Sequence, residues 1–221
     1  MVSISLSLPL FTLFYFALAG FVRSDKRIAL IVVSIVCTSM TLLVYKGLEG
    51  EENYKLVNDK QILERFMNNK SEDRKQDALE VDRIILEISN RDGVRAEEIY
   101  LLAKMLKAVN ENLLAAIAFE QLYKKFKSEL DGFILAEYAQ TMFLKEKRTF
   151  NKNIERILEE ALIKSPNNPS ALTLKGLKEL ENKNIDLTIK LWTRALNFLK
   201  NERDISELKT LIETVKKLKN Q

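Results

Sequence analysis

The chain has 221 residues, 47% apolar and 30% charged, with a formal net charge of +4, six Gly, three Pro, one Cys and no His. Without an imidazole there is no His-ligated zinc or haem and no Ser-His-Asp or Cys-His catalysis, because each needs a group that binds metal or moves a proton near neutral pH. So few Gly and Pro against a surplus of Leu, Ile, Lys and Glu leave little turn material, which argues against a sandwich or barrel and predicts an all-α fold.

Residues 1–22 and 28–45 carry no ionisable Asp, Glu, Lys or Arg side chain. At about 1.5 Å per residue, each run is long enough to cross a hydrocarbon core of about 30 Å. Both read as transmembrane helices. The five residues between them, Arg23 to Arg27, force an antiparallel hairpin over residues 1–46. Its tip carries Arg23, Lys26 and Arg27, and the following segment holds Glu49, Glu51 and Glu52. The positive-inside rule puts the tip in the cytoplasm and everything after Lys46 on the far side. A cleaved signal peptide fits less well, since the first run lacks a basic start and a second apolar run follows at once. No intramembrane charge suggests a channel or pump.

Cys37 lies in the second run, so the expected exported part has no thiol and no disulfide to staple it. Four basic residues and one acidic residue precede Gly47, leaving 31 basic and 30 acidic side chains beyond it. That near-neutral balance gives a nucleic-acid partner no support.

Residues 47–76 are polar, with weak periodicity around Leu56, Ile62, Leu63, Phe66 and Met67, and read as a linker with a short helix. From Asp77 the apolar spacing becomes helical through Leu79, Ile84, Ile85 and Ile88, and ends at Gly93, a residue suited to a helix C-terminus. The rest of a 77–221 domain falls into helix pairs: 95–109 with 112–127, 132–147 with 151–164, and 169–182 with 185–200. A last helix is expected over 204–219, with Asp204 and Glu207 as its capping box.

A fixed period identifies the architecture. Ala161-Leu162 and Ala195-Leu196 are 34 residues apart, each near the end of a second helix. Pro169 to Leu196 fits the tetratricopeptide pattern, with Leu172, Gly176 and Leu180 in its first helix and Thr188, Trp192 and Ala195 in its second. Gly176 in mid-helix costs roughly 0.5–1 kcal/mol relative to Ala, which implies close approach of the paired helix. Ala103 and Ala139 take the same role upstream. Their spacing departs from 34, and the turn around Lys147 to Phe150 is expected to be long. Asn168-Pro169 reads as a helix start.

These residues resemble a family. Ala136 to Met142, the Arg148-Thr-Phe150 turn, Ile157 to Leu162, Ser165-Pro-Asn-Asn-Pro-Ser-Ala171 and Ile185 to Leu196 with Trp192 are similar to the tetratricopeptide domain of the CcmI/CycH-type cytochrome c biogenesis proteins. The similarity covers roughly residues 95–200, and the paired spans match in position. Those proteins usually have a long zipper-like loop between the spans, where this chain has five residues. The resemblance implies a bacterial inner-membrane protein with two spans, followed by a periplasmic solenoid and a C-terminal capping helix. Its partners would be apocytochrome c, held by its C-terminal segment, the haem lyase subunits and the bilayer. It implies a binding subunit with no cofactor, metal or catalytic residue of its own. A general membrane-anchored periplasmic scaffold or chaperone is the alternative.

In this repeat class the inner face of each first helix carries repeat positions two, five, nine and twelve. The resemblance therefore puts Tyr100, Lys104 and Lys107, then Phe133, Ala136 and Gln140, then Thr173 and Leu177 in the client groove. Phe143 and Leu180 fall on the same row but read as packing between repeats. Tyr100 and Phe133 would anchor the client, and Lys104 and Lys107 would attract acidic groups or a terminal carboxylate. Trp192 is expected in the core. Adjacent carboxylates such as Glu97-Glu98 and Glu159-Glu160 diverge on a helix and read as solvated faces rather than acid/base pairs.

Overall fold

The structure, a computed structural model, describes residues 50–219, with side chains from Lys55 to Lys219. The two apolar runs, the basic tip between them and Cys37 lie outside the described residues. No helix among the described residues is long and apolar enough to cross a membrane. The chain divides into two units, residues 1–61 and 62–221. Of the first, residues 50–61 are described; they are helical and expose Leu56 and Val57.

The described residues form nine helices and no strand: α1 (Gly50–Met67), α2 (Arg74–Asn90), α3 (Ala96–Ala108), α4 (Asn112–Phe126), α5 (Gly132–Lys145), α6 (Lys152–Lys164), α7 (Pro169–Glu181), α8 (Ile185–Leu196) and α9 (Glu202–Lys219). The segment expected to be a linker thus carries an 18-residue helix. Ile62 and Phe66 on it are buried with Val81, Ile84 and Ile85, and that burial supplies what its weak periodicity did not predict.

In the second unit, α3/α4, α5/α6 and α7/α8 pack as antiparallel pairs. Successive pairs touch through α4 with α5, α5 with α7, and α6 with α7, while α2 lies on α4 and α9 on α8. This order is compatible with a helical-repeat solenoid. One turn serves all three pairs. The residue after the first helix's cap, Asn110, Lys147 or Lys183, has a positive φ of 53–63°, and the next amide bonds back five residues to Leu106, Phe143 or Glu179 at 2.8–3.0 Å. These are Schellman closures. In the middle pair Arg148 is also left-handed, at φ 65°, and the chain then runs on to Asn151, whose side chain caps α6 at 3.0 Å. The turn at Lys147–Phe150 is accordingly the long one.

Asp131 caps α5, and Asn168 caps α7 with Pro169 at its first position. α9 begins two residues before the expected capping box. Asn201 accepts from the Arg203 amide at 2.9 Å, while Glu207 binds the Arg203 side chain at 2.8 Å.

One core runs from Ile62 to Leu174 through the pairs; a second joins Leu172, Trp192 and Ala195 to Leu208, Ile212 and Val215 of α9. Ala103, Ala139 and Gly176 are all buried where helices cross. A Cβ on Gly176 would overlap the Trp192 indole, whose Nε1 donates to the Thr173 carbonyl at 2.9 Å. Close approach is therefore what this glycine provides.

Candidate functional site

Positions of the first helices that point away from their own pair form a row along α3, α5 and α7. At the α3 end the row is closed by polar contacts. Tyr100 is half-buried, edge-on to Phe119 at 6.2 Å, and its hydroxyl donates to Glu137 Oε2 at 3.2 Å. Lys104 Nζ donates to Glu137 Oε1 at 2.7 Å and lies 5.8 Å from the Tyr100 ring centre. Burial pushes the Tyr100 hydroxyl up, assisted by the Glu137 charge, and the hydrogen bond to Glu137 raises the Lys104 ammonium. Both side chains are held by the next pair. Lys107 Nζ instead donates to the Gln140 amide oxygen at 2.8 Å, and burial lowers its ammonium.

The same trio recurs among the second helices. Tyr123 donates to Glu160 at 2.8 Å, and Lys127 Nζ sits 3.4 Å from the same carboxylate, at the chain separations of 37 and 33 seen in the first row. Arg156 joins it, 2.7 Å from both Glu160 and the Tyr123 hydroxyl. Burial pushes the Glu160 carboxyl up, but hydrogen bonds from Tyr123, Lys127 and Arg156 outweigh it and hold the group below its ordinary value. Between the rows, Tyr138 stacks on Phe119 at 5.9 Å, and burial pushes its hydroxyl up to about 12. The trio thus appears on both sides of one junction, joining the α3/α4 pair to the α5/α6 pair through first helices and through second helices alike.

Farther along, the first-helix row opens into a cleft of about 400 Å³ between α5, α7 and α9. Gln140, Thr173 and Leu177 line it, together with Phe143, Leu174, Leu208 and Leu211. Phe143 is mostly buried and packs on Phe150 of the long turn at 4.5 Å, so that turn supports the cleft floor. Lys178 Nζ lies 5.4 Å from the Phe150 ring centre and ties the turn to α7. A second cleft, about 680 Å³, includes Phe133, Pro166 and Phe198 and shares Pro169, Leu199 and Asp204 with the first. Asp204 and Glu207 add carboxylates to an otherwise apolar α9 wall.

The structure thus gathers Gln140, Thr173 and Leu177 in one cleft and puts the 57%-exposed Phe133 in its neighbour. Ala136 is 1% exposed and offers no surface, because α5 turns its methyl group into the core. Tyr100 and Lys104 both bond Glu137, while the Lys104 side chain stays 43% exposed. Leu180 is half-buried and packs against the core cluster around Trp192. The α9 wall was missed at the level of sequence, where α9 reads as a cap. Its signal is Leu211, an extra leucine beside the buried Leu208, Ile212 and Val215 that stays 48% exposed. Among the described residues no cluster of three His, Cys, Asp or Glu is placed to hold a metal ion.

No protein-family model matches the chain, and no curated protein matches it.

Proposed function

We propose that this chain is a membrane-anchored helical-repeat holder for an unfolded polypeptide, and that its client is apocytochrome c awaiting haem ligation. The observation that carries the reading is the apolar cleft between α5, α7 and α9, on the row where a repeat solenoid presents its partners. Tetratricopeptide character is supported by the turn shared by all three helix pairs, by the matching separations of 33 and 37 residues on both sides of the first junction, and by Gly176 beneath Trp192. The apolar runs at 1–22 and 28–45 support two spans, and the basic tip between them supports a periplasmic repeat domain on a bacterial inner membrane.

In this mechanism the protein does no covalent chemistry. The cleft takes apolar side chains of the client's C-terminal segment, and the haem lyase subunits join haem to the client's thiols. A holder with no Cys beyond residue 37 and no His forms no mixed disulfide with those thiols and does not compete for haem iron. The test is retention of apo and holo cytochrome c by the full-length protein in detergent. Preferential retention of the apo form is expected; equal retention of both, or of neither, rejects the holder mechanism.

A broader envelope scaffold is the second reading, favoured by apolar surface away from the cleft: Leu79 on α2 is 67% exposed and Leu101 on α3 is 60% exposed. Deleting the protein distinguishes the two. Selective loss of haem-bound c-type cytochromes follows from the first, and general envelope defects with cytochromes intact follow from the second.

A further inference from the structure

The edge of the stack where first helices end and second helices begin gathers more cations than its carboxylates match. Ion pairs fix which segments meet there. Lys178 at the end of α7 bonds Glu155 in the first turn of α6 at 2.7 Å, and Lys219 at the end of α9 bonds Asp186 in the first turn of α8. Glu146 is held by Lys145 at 3.2 Å. On the stretch of this edge from α5 to α9, only the Glu181 carboxylate is left without a cation. Lys147, Arg148, Lys152, Lys183 and Lys217, by contrast, are exposed and have no ion-pair partner among the described residues. Local structure does not account for them. Lys147, Arg148 and Lys183 have φ of 53°, 65° and 63°, a left-handed conformation in which a side chain crowds the backbone and Gly or Asn is the usual choice. The first pair follows that rule, with Asn110 at 62°. Lys152 opens α6, at the helix end whose partial positive charge repels a cation. Cations kept where other residues fit better, and repelling one another along the edge, call for an external anion.

We infer that this edge is a docking surface for an acidic polypeptide, separate from the cleft between α5, α7 and α9 and independent of what that cleft holds. A rigid backbone favours a polypeptide over a lipid surface. The amides of Arg148 and Asn184 close their turns at 2.8 Å, so the turn cations keep a register of roughly 10 Å, the spacing of packed helices, to which the carboxylates of a polypeptide can be matched. Headgroups that diffuse in a bilayer need no such register. Arg148 adds a planar fork that takes a carboxylate through two bonds.

The experiment titrates full-length protein in detergent with poly-L-glutamate and, separately, with dihexanoyl phosphatidylglycerol as a soluble anionic lipid. Wild-type protein is expected to bind the polypeptide, more weakly as salt rises. Combining Lys147→Asn, Arg148→Asn and Lys183→Asn removes the turn cations with the residue that closes the first pair's turn at Asn110. The unfolding midpoint should therefore hold while affinity for poly-L-glutamate falls about tenfold or more. Lys190→Gln, Lys200→Gln and Lys209→Gln together remove the same charge from exposed positions away from this edge, and should leave affinity within about twofold. If the turn variant fails to fold, Lys152→Gln with Lys217→Gln carries the same comparison from helical positions, with a loss of about threefold or more expected. No binding of poly-L-glutamate by wild-type protein, or equal losses from the edge and the control substitutions, overturns the proposal. So does an edge variant weakened for the lipid alone, which would assign this edge to the bilayer surface.

Discussion

The α3–α5 junction and the α5–α7–α9 junction occupy one row of the stack, yet one is closed and the other open. At the first, Tyr100 and Lys104 converge on Glu137. At the second, Gln140, Thr173 and Leu177 leave a cleft that α9 completes with Leu208 and Leu211. The difference teaches that the helix period decides which positions share a face, while side-chain chemistry decides whether that face is spent on stacking or left for a partner. The Tyr123, Lys127 and Glu160 cluster in the other row repeats the closed solution.

The largest expected effect breaks the open junction from within. Gly176→Ala drives a methyl group into the Trp192 indole, which is buried and fixed by its bond to Thr173. A stability loss of about 1–3 kcal/mol is expected in urea unfolding, because overpacked cores strain rather than expand. An unchanged midpoint contradicts the role of close approach.

Leu211→Asp sharpens the contrast from the surface. Leu211 is 48% exposed, so folding stability should shift by no more than about 0.5 kcal/mol. Apocytochrome c affinity should fall about tenfold, or about 1.4 kcal/mol, if the α9 wall carries the client. Affinity that survives this change removes α9 from the site.

Glu137→Gln makes the opposite prediction at the closed junction. Stability is expected to drop by up to about 1 kcal/mol, since the pair with Lys104 is partly exposed, and client affinity should stay within about twofold. A loss of affinity larger than the loss of stability returns Tyr100 and Lys104 to the binding face.

Acid should act on the second-helix row. The folded Glu160 carboxyl sits below its ordinary value of 4.5, so its stabilising contribution is complete above that pH and fades as pH falls through the folded value. Stability measured downward from pH 5 is expected to decline less steeply in Glu160→Gln than in the wild type. Identical slopes would show that the trio adds nothing to stacking.

Much of the architecture was legible in sequence because helix starts and stops are local. Asn168-Pro169 and Gly176 each marked a feature found where expected. The α1 helix was not legible, because Ile62 and Phe66 gain their stability from burial against distant residues rather than from their own periodicity. The open part of the site was half legible. Repeat positions located Gln140, Thr173 and Leu177, but repeat position alone does not reveal that Glu137, one place off the row, captures Tyr100 and Lys104. Ala136 fell on the expected period, but its short methyl group packs within the core and presents no surface.

Site-specific photocrosslinking in cells tests the central claim most directly. A photoreactive residue at Leu211, inside the cleft, is expected to capture apocytochrome c, and the same residue at Leu79 on α2 is expected to capture none. Capture from Leu79 alone, or from neither position, would contradict a client seated between α5, α7 and α9.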